Sequence, residues 1–250
     1  MKKIITTLFL LALLSYVPVV FANSITLVTL GDSLTQGDGD NTSMGGYPPR
    51  LLKLLNKSHA GSRLHNLGKS GWTSDDLINT QLEPALNILH QASGEKVALV
   101  WIGSNDLFGL YNYVCDEEYA NDFKRCEADG LKIFSDNIKT ILTRLKATGA
   151  QLYIALLDNQ SKRPVMTNAQ LRTGSFDKIS ADDVSRMSAQ TKKYNAIIRK
   201  QAAVLGVGTA DFLNTTLFTA KELLDSDGNH PNGAGYERIA IIWFQAMIER

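Results

Sequence analysis

Five short apolar or β-branched runs, separated by stretches of helical periodicity, constrain this chain more than any other feature. They fall at residues 25–30, 63–67, 97–102, 151–157 and 207–211. A strand buried on both faces reads as such a continuous run. Strands that alternate with helices predict a mostly parallel sheet covered on both sides. The expected fold is therefore α/β, with a five-stranded sheet. At 250 residues the chain is long enough for one real core. It shows no internal repeat, low-complexity tract or interdomain linker.

The helices carry their own signals. Pro48 and Pro49 suit a first helical turn, and Leu51, Leu52, Leu54 and Leu55 supply its apolar face. Thr73 or Ser74 caps a helix whose first turn holds Asp75 and Asp76 and whose apolar positions include Leu77, Leu82, Leu86 and Leu89. Leu131, Phe134, Ile138, Ile141, Leu142 and Leu145 recur at helical spacing ahead of Gly149. Ser180 with Asp183 resembles a capping box, and the helix it opens runs to Gly206. A last amphipathic helix covers residues 236–248. Two polar stretches, residues 106–129 and 158–180, are expected to be long loops of the kind that form lids or binding surfaces.

The N-terminus differs from the rest. Lys2 and Lys3 precede an apolar run over residues 4–21, and Ala22 offers a small residue for cleavage with Val20 two positions before it. This reads as a secretory signal peptide over residues 1–22, leaving a domain of residues 23–250. A membrane anchor is the alternative. Pro18 and the lack of a basic stop-transfer flank favour cleavage and an exported, periplasmic or secreted protein with no stable span. Without Lys2 and Lys3 the chain has 24 basic and 25 acidic residues. No basic patch marks a nucleic-acid partner. In an exported protein the two cysteines, Cys115 and Cys126, are expected to pair, contributing roughly 3 kcal/mol or less; free thiols are the alternative.

Ligands of open α/β sheets bind beyond the carboxyl ends of strands. Three loops there carry Ser33, Gly71 and Asn105, and a fourth, beyond the fifth strand, carries Asp227 and His230. Acyl transfer needs a nucleophile, a base and donors for the developing oxyanion. Ser33 supplies a hydroxyl and His230 an imidazole base. Asp227, across the turn Gly228-Asn229, is placed to orient that base. The oxyanion donors would be the backbone N–H groups of Ser33 and Gly71 and the side-chain amide of Asn105. His59, His65 and His90 lack such company, and no histidine–carboxylate cluster has metal-ligand spacing. Asp32 is read as support for the turn, Asp106 as packing or loop support. Trp72, Phe108, Tyr111 and Tyr113 flank these loops, as walls of an acyl or sugar pocket or as ordinary packing.

Together these blocks resemble the SGNH hydrolases, or GDSL esterases/lipases: Gly31-Asp32-Ser33-Leu34; Asn66-Leu67-Gly68-Lys69-Ser70-Gly71; Gly103-Ser104-Asn105-Asp106; and Asp227-Gly228-Asn229-His230-Pro231. Ser104 stands where the family usually has a second glycine, and Gly68 competes with Gly71 for the role of oxyanion donor. The resemblance implies a flavodoxin-like three-layer α/β/α sandwich. It also implies a serine esterase or lipase acting on carboxylic esters or thioesters through an acyl-serine, with no cofactor. The substrate would be a small-molecule ester, a lipid or an acetylated sugar. Two rival readings stand beside it: a carbohydrate O-deacetylase using the same site, and a catalytically silent carbohydrate- or lipid-binding protein on the same fold.

Overall fold

The structure, a computed structural model, describes residues 23–248; the segment read as a signal peptide, residues 1–22, lies outside them. The chain enters at β1 (Ile25–Gly31), makes the single turn α1 (Ser33–Gln36), and returns through α2 (Tyr47–Leu55) to β2 (Arg63–Asn66). Next come α3 (Ser74–Asp76), a π-helical turn at Leu77–Gln81, α4 (Leu82–Gln91) and β3 (Glu95–Trp101). Then follow α5 (Ser104–Gly109), a second π-helical turn at Leu110–Val114, α6 (Cys115–Glu117), the long α7 (Phe123–Lys146) and β4 (Gln151–Leu156). A 3-10 turn at Gln160–Lys162, the short α8 (Pro164–Thr167) and α9 (Ala181–Leu205) lead to β5 (Gly208–Asp211). A 3-10 turn at Lys221–Leu223 and α10 (Gly233–Ile248) complete the described chain.

All four strand pairings are parallel, in the order β2-β1-β3-β4-β5. One face of the sheet is covered by α2 and α10, the other by α4, α7 and α9, giving the three layers expected. The reason lies in the strands: Leu27, Val28 and Leu30 of β1 and Val97 to Trp101 of β3 are buried throughout, so both faces need cover. An aromatic cluster seals one side, with Trp101 stacked on Phe212 at 4.0 Å between centroids and Trp243 edge-on at 6.1 Å. The chain moves from β1 outward to β2 and then jumps to the far side of β1 for β3. The carboxyl ends of β1 and β3 therefore flank the topological switch point, where crevices of such sheets open.

The caps follow the sequence closely. Ser180 and Asp183 form a reciprocal capping box, and Gly206 ends α9 in the left-handed region. At the start of α3 it is Thr73, with Asp76, that forms the box. The polar stretch 106–129 departs from expectation: most of it is helical. Leu107, Phe108, Leu110, Tyr111 and Cys115 bury one side of it, and Asp122 caps α7 by accepting from the Arg125 N–H. Ala120 and Asn121, both at positive φ, make the reversal between α6 and α7. A disulfide joins Cys115 to Cys126 across that reversal. Residues 158–180 remain largely turn and loop.

Candidate active site

Side chains from both ends of the chain meet at the switch point. Ser33 opens α1, directly after the β1 strand, and His230 lies just before α10. The Ser33 Oγ is 2.9 Å from His230 Nε2 although 197 residues separate them. On the other side of the ring, His230 Nδ1 lies 2.5 Å from Asp227 Oδ2. The second Asp227 oxygen accepts the backbone N–H groups of Asn229 (2.8 Å) and His230 (2.9 Å), which folds the turn around its own carboxylate. A carboxylate can only accept, so the Nδ1 atom carries the proton and Nε2 presents its lone pair to the serine hydroxyl. Hydroxyl, imidazole and carboxylate thus form a relay able to remove a proton from Ser33.

Ser33, Gly71, Asn105 and His230 all line one cleft of about 390 Å³. Gly71 sits at φ +81°, with open space where a Cβ would be. Gly68 serves the packing of the loop instead. A Cβ there would fall 2.5 Å from the backbone nitrogen of Gln36, so its lack of a side chain lets the loop lie against the serine turn. Asn66 bonds the Gly68 N–H and the Thr35 carbonyl, and Gln36 accepts the Ser70 N–H, so the two loops are tied together. Asn105 donates one amide hydrogen to the Trp72 carbonyl at 2.9 Å, which fixes the plane of its amide. Asp106 accepts from the backbone N–H and the hydroxyl of Ser74, the loop support expected of it. Phe108 and Tyr113 line the cleft, joined by Phe176; Trp72 and Tyr111 are not among its lining, and the Tyr111 hydroxyl donates to Glu127.

The charges divide into two kinds. Burial opposes the charge on Asp227, but the hydrogen bonds from His230 and the two turn N–H groups outweigh it and hold the carboxyl at about 2. Asp227 is thus anionic across the neutral range. Asp32 is the reverse. Burial pushes its carboxyl up to about 7, against the Leu34 N–H bond and the charges of Arg163 and His230. Its Oδ1 accepts from Leu34, while Oδ2 is buried and has no partner among the described residues. A carboxyl raised in the folded state binds more protons there than in the unfolded chain, so its contribution is most favourable below its unfolded value of 3.8 and is lost as pH rises toward 7. The total is on the order of 4 kcal/mol. Asp106, raised by burial to about 6, acts with the same sign over a lower window. Asp32→Asn is expected to flatten the decline of stability with pH, most distinctly between pH 6 and 7, in denaturant midpoints measured across pH. An unchanged slope there would refute an unusually basic Asp32.

Three supporting groups gave no sequence signal. Gln81 brackets Gly31 by accepting its N–H at 2.9 Å and donating to its carbonyl at 2.8 Å, which pins the end of β1. Arg163 and Asn229 border the cleft and bond to each other. Arg163 and Asn229 lie in loop sequence and Gln81 at the end of a helical turn, and in neither setting does periodicity say anything about partners.

Among the described residues, no helix is long and apolar enough to cross a membrane.

A parallel α/β/α sandwich with this serine–histidine–aspartate relay at its switch point defines the class of SGNH-type hydrolases. The family model described as GDSL-like lipase/acylhydrolase matches residues 29–238, and the chain belongs to that family. It is an ester-hydrolysing enzyme. Among solved structures, it is similar to the acetylxylan esterase Axe2 from Geobacillus stearothermophilus, with TM-score 0.61 and 15% identity over 92% of this chain and 97% of that one. The lipase Lip_vut3 from a goat rumen metagenome is similar with TM-score 0.63 and 19% identity over 89% and 97%. An extracellular lipase from Streptomyces rimosus follows with TM-score 0.59 and 20% identity over 89% and 99%. At these identities the likeness is one of fold. Comparison with curated protein sequences gives no match.

Proposed function

We propose that this enzyme is an exported serine esterase that works through an acyl-serine intermediate. The continuous hydrogen-bonded chain from Ser33 through His230 to Asp227 is the observation that carries the reading. Ser33 Oγ attacks the ester carbonyl as His230 Nε2 takes its proton, and Asp227 steadies the imidazolium. The Ser33 and Gly71 N–H groups have no acceptor among the described residues, and Asn105 keeps one amide hydrogen beyond the one given to Trp72. These three donors receive the oxyanion. Collapse expels the alcohol with the proton from His230, and water repeats the sequence to free the acid.

The cleft favours a small ester. Leu34, Phe108, Tyr113 and Phe176 supply apolar wall, and Ser70, Thr73 and Ser175 bring hydroxyl groups beside it. An acetylated sugar suits such mixed walls, and two acetylxylan esterases among the structural relatives share this fold. A carbohydrate O-deacetylase is accordingly the second reading, with lipid esters and thioesters as further substrates to test. Export is supported by the disulfide and by the composition of residues 1–22, which we infer are removed to leave a domain from residue 23.

A fluorophosphonate probe tests the mechanism and separates the enzyme from a silent binding protein. Mass spectrometry of the labelled, secreted protein is expected to place the adduct on Ser33 and the mature start at Asn23. A folded protein that stays unlabelled at Ser33 would overturn the mechanism.

A further inference from the structure

Arg163 is almost fully buried, yet it carries a charge beside the cleft. Its Nε and Nη2 atoms fork onto Asp158 at 2.9 and 2.6 Å, and Phe218 lies under the guanidinium at 4.3 Å. The remaining arm has a specific target: Nη1 donates to Asn229 Oδ1 at 2.8 Å. Guanidinium has donors only, so it dictates which end of the Asn229 amide faces it. The oxygen end turns to Arg163, and the Nδ2 end is left 3.5 Å from His230 Nε2. The backbone clasps the same turn, with the Val165 N–H donating to the Gly228 carbonyl at 3.0 Å.

We propose that Arg163 and Asn229 form a positioning pair for the base: Arg163 locks the Asn229 amide with its N–H edge toward His230 Nε2, which keeps that nitrogen an acceptor beside Ser33. The proposal rests on the assignment of His230 as the base. While the imidazole is neutral, the amide N–H sits 3.5 Å from the nitrogen whose single lone pair accepts from the serine hydroxyl. Once Nε2 has taken the serine proton, N–H faces N–H, and the imidazolium is directed to give its proton up to the leaving alcohol. The titratable and charged groups near this imidazole are Asp227 on its own turn, Asp32 on the serine turn, and Arg163 itself.

The test uses the full chain and a short p-nitrophenyl ester. Asn229→Ala is expected to lower kcat by about 10- to 100-fold. KM should stay within about twofold, while the unfolding midpoint falls modestly because the buried Arg163 Nη1 loses its acceptor. Asn229→Asp still accepts from Arg163 but presents an oxygen to Nε2, so the acid limb of its kcat/KM profile is expected to move up by about one pH unit. Removing Arg163 alone would strand the buried Asp158 charge. The pair is therefore removed together as Arg163→Met with Asp158→Asn, and adding Asn229→Ala to it should cost little more, because both act through one contact. If the double variant does not fold, the two Asn229 variants decide alone. A kcat within twofold of the unaltered enzyme in Asn229→Ala, or an unmoved acid limb in Asn229→Asp, would overturn the proposal. Absence of hydrolysis and labelling in the unaltered enzyme would instead fail the assignment of Ser33 and His230.

Discussion

Ser33→Ala is expected to reduce kcat/KM for a p-nitrophenyl ester by about 10⁴- to 10⁶-fold while the unfolding midpoint hardly changes. The size follows from what is lost. Without Oγ no acyl-serine can form, and the residual rate is that of water attacking an ester held by the oxyanion donors. The fold should tolerate the change, since Ser33 is only partly buried and, among the described residues, its Oγ bonds to His230 alone. Asn105→Ala gives the contrast. It leaves the relay intact and removes one donor, for an expected loss of about 10²- to 10³-fold. The pair of measurements separates nucleophile from oxyanion stabiliser. Equal losses in the two variants, or a Ser33→Ala enzyme with more than a few per cent of the original rate, would contradict the roles assigned here.

Gly31→Ala is the second large effect, and it falls on stability first. Gly31 has φ +154° and pairs with Trp101 at the end of the β1–β3 ladder. An added Cβ would lie 2.2 Å from the Trp101 carbonyl oxygen and 2.5 Å from Thr35 Oγ1. Neither neighbour gives way easily: one is sheet backbone, and the buried Thr35 bonds to Tyr47. Backbone strain and overpacking together are expected to cost about 3 kcal/mol or more, read as a lower denaturant midpoint. The same methyl group would pry apart the strand ends that carry Ser33 and Asn105. Molecules that remain folded should therefore also lose activity, measured as kcat/KM per site titrated with the fluorophosphonate. A variant with wild-type stability would show that β1 and β3 are not in this close contact.

Local chemistry is readable in the chain itself. The strand runs, the box of Ser180 and Asp183, and the stop at Gly206 depend on neighbours a few residues away, so periodicity and side-chain type suffice to place them. The four blocks around Ser33, Gly71, Asn105 and His230 are legible for a related reason. Each combines a turn-forming glycine with a functional group just past a strand or turn, where the parallel sheet collects its loops. Residues 106–129 mislead because their polar composition hides one buried side, which shows only once Leu107, Leu110 and Cys115 are packed against a partner.

What tertiary structure alone decided is who pairs with whom across distance. Nothing near Arg163 in the chain announces that it will bond to Asn229, 66 residues on, and nothing near Gln81 announces that it will bracket Gly31. Asp32 reads as a turn residue in sequence, and only the removal of water around it raises its carboxyl to about 7. Pattern in a chain reports the backbone conformation that nearby residues prefer. Desolvation and the contacts of buried polar groups depend on what the folded sheet brings together, so they exist only after the fold has formed.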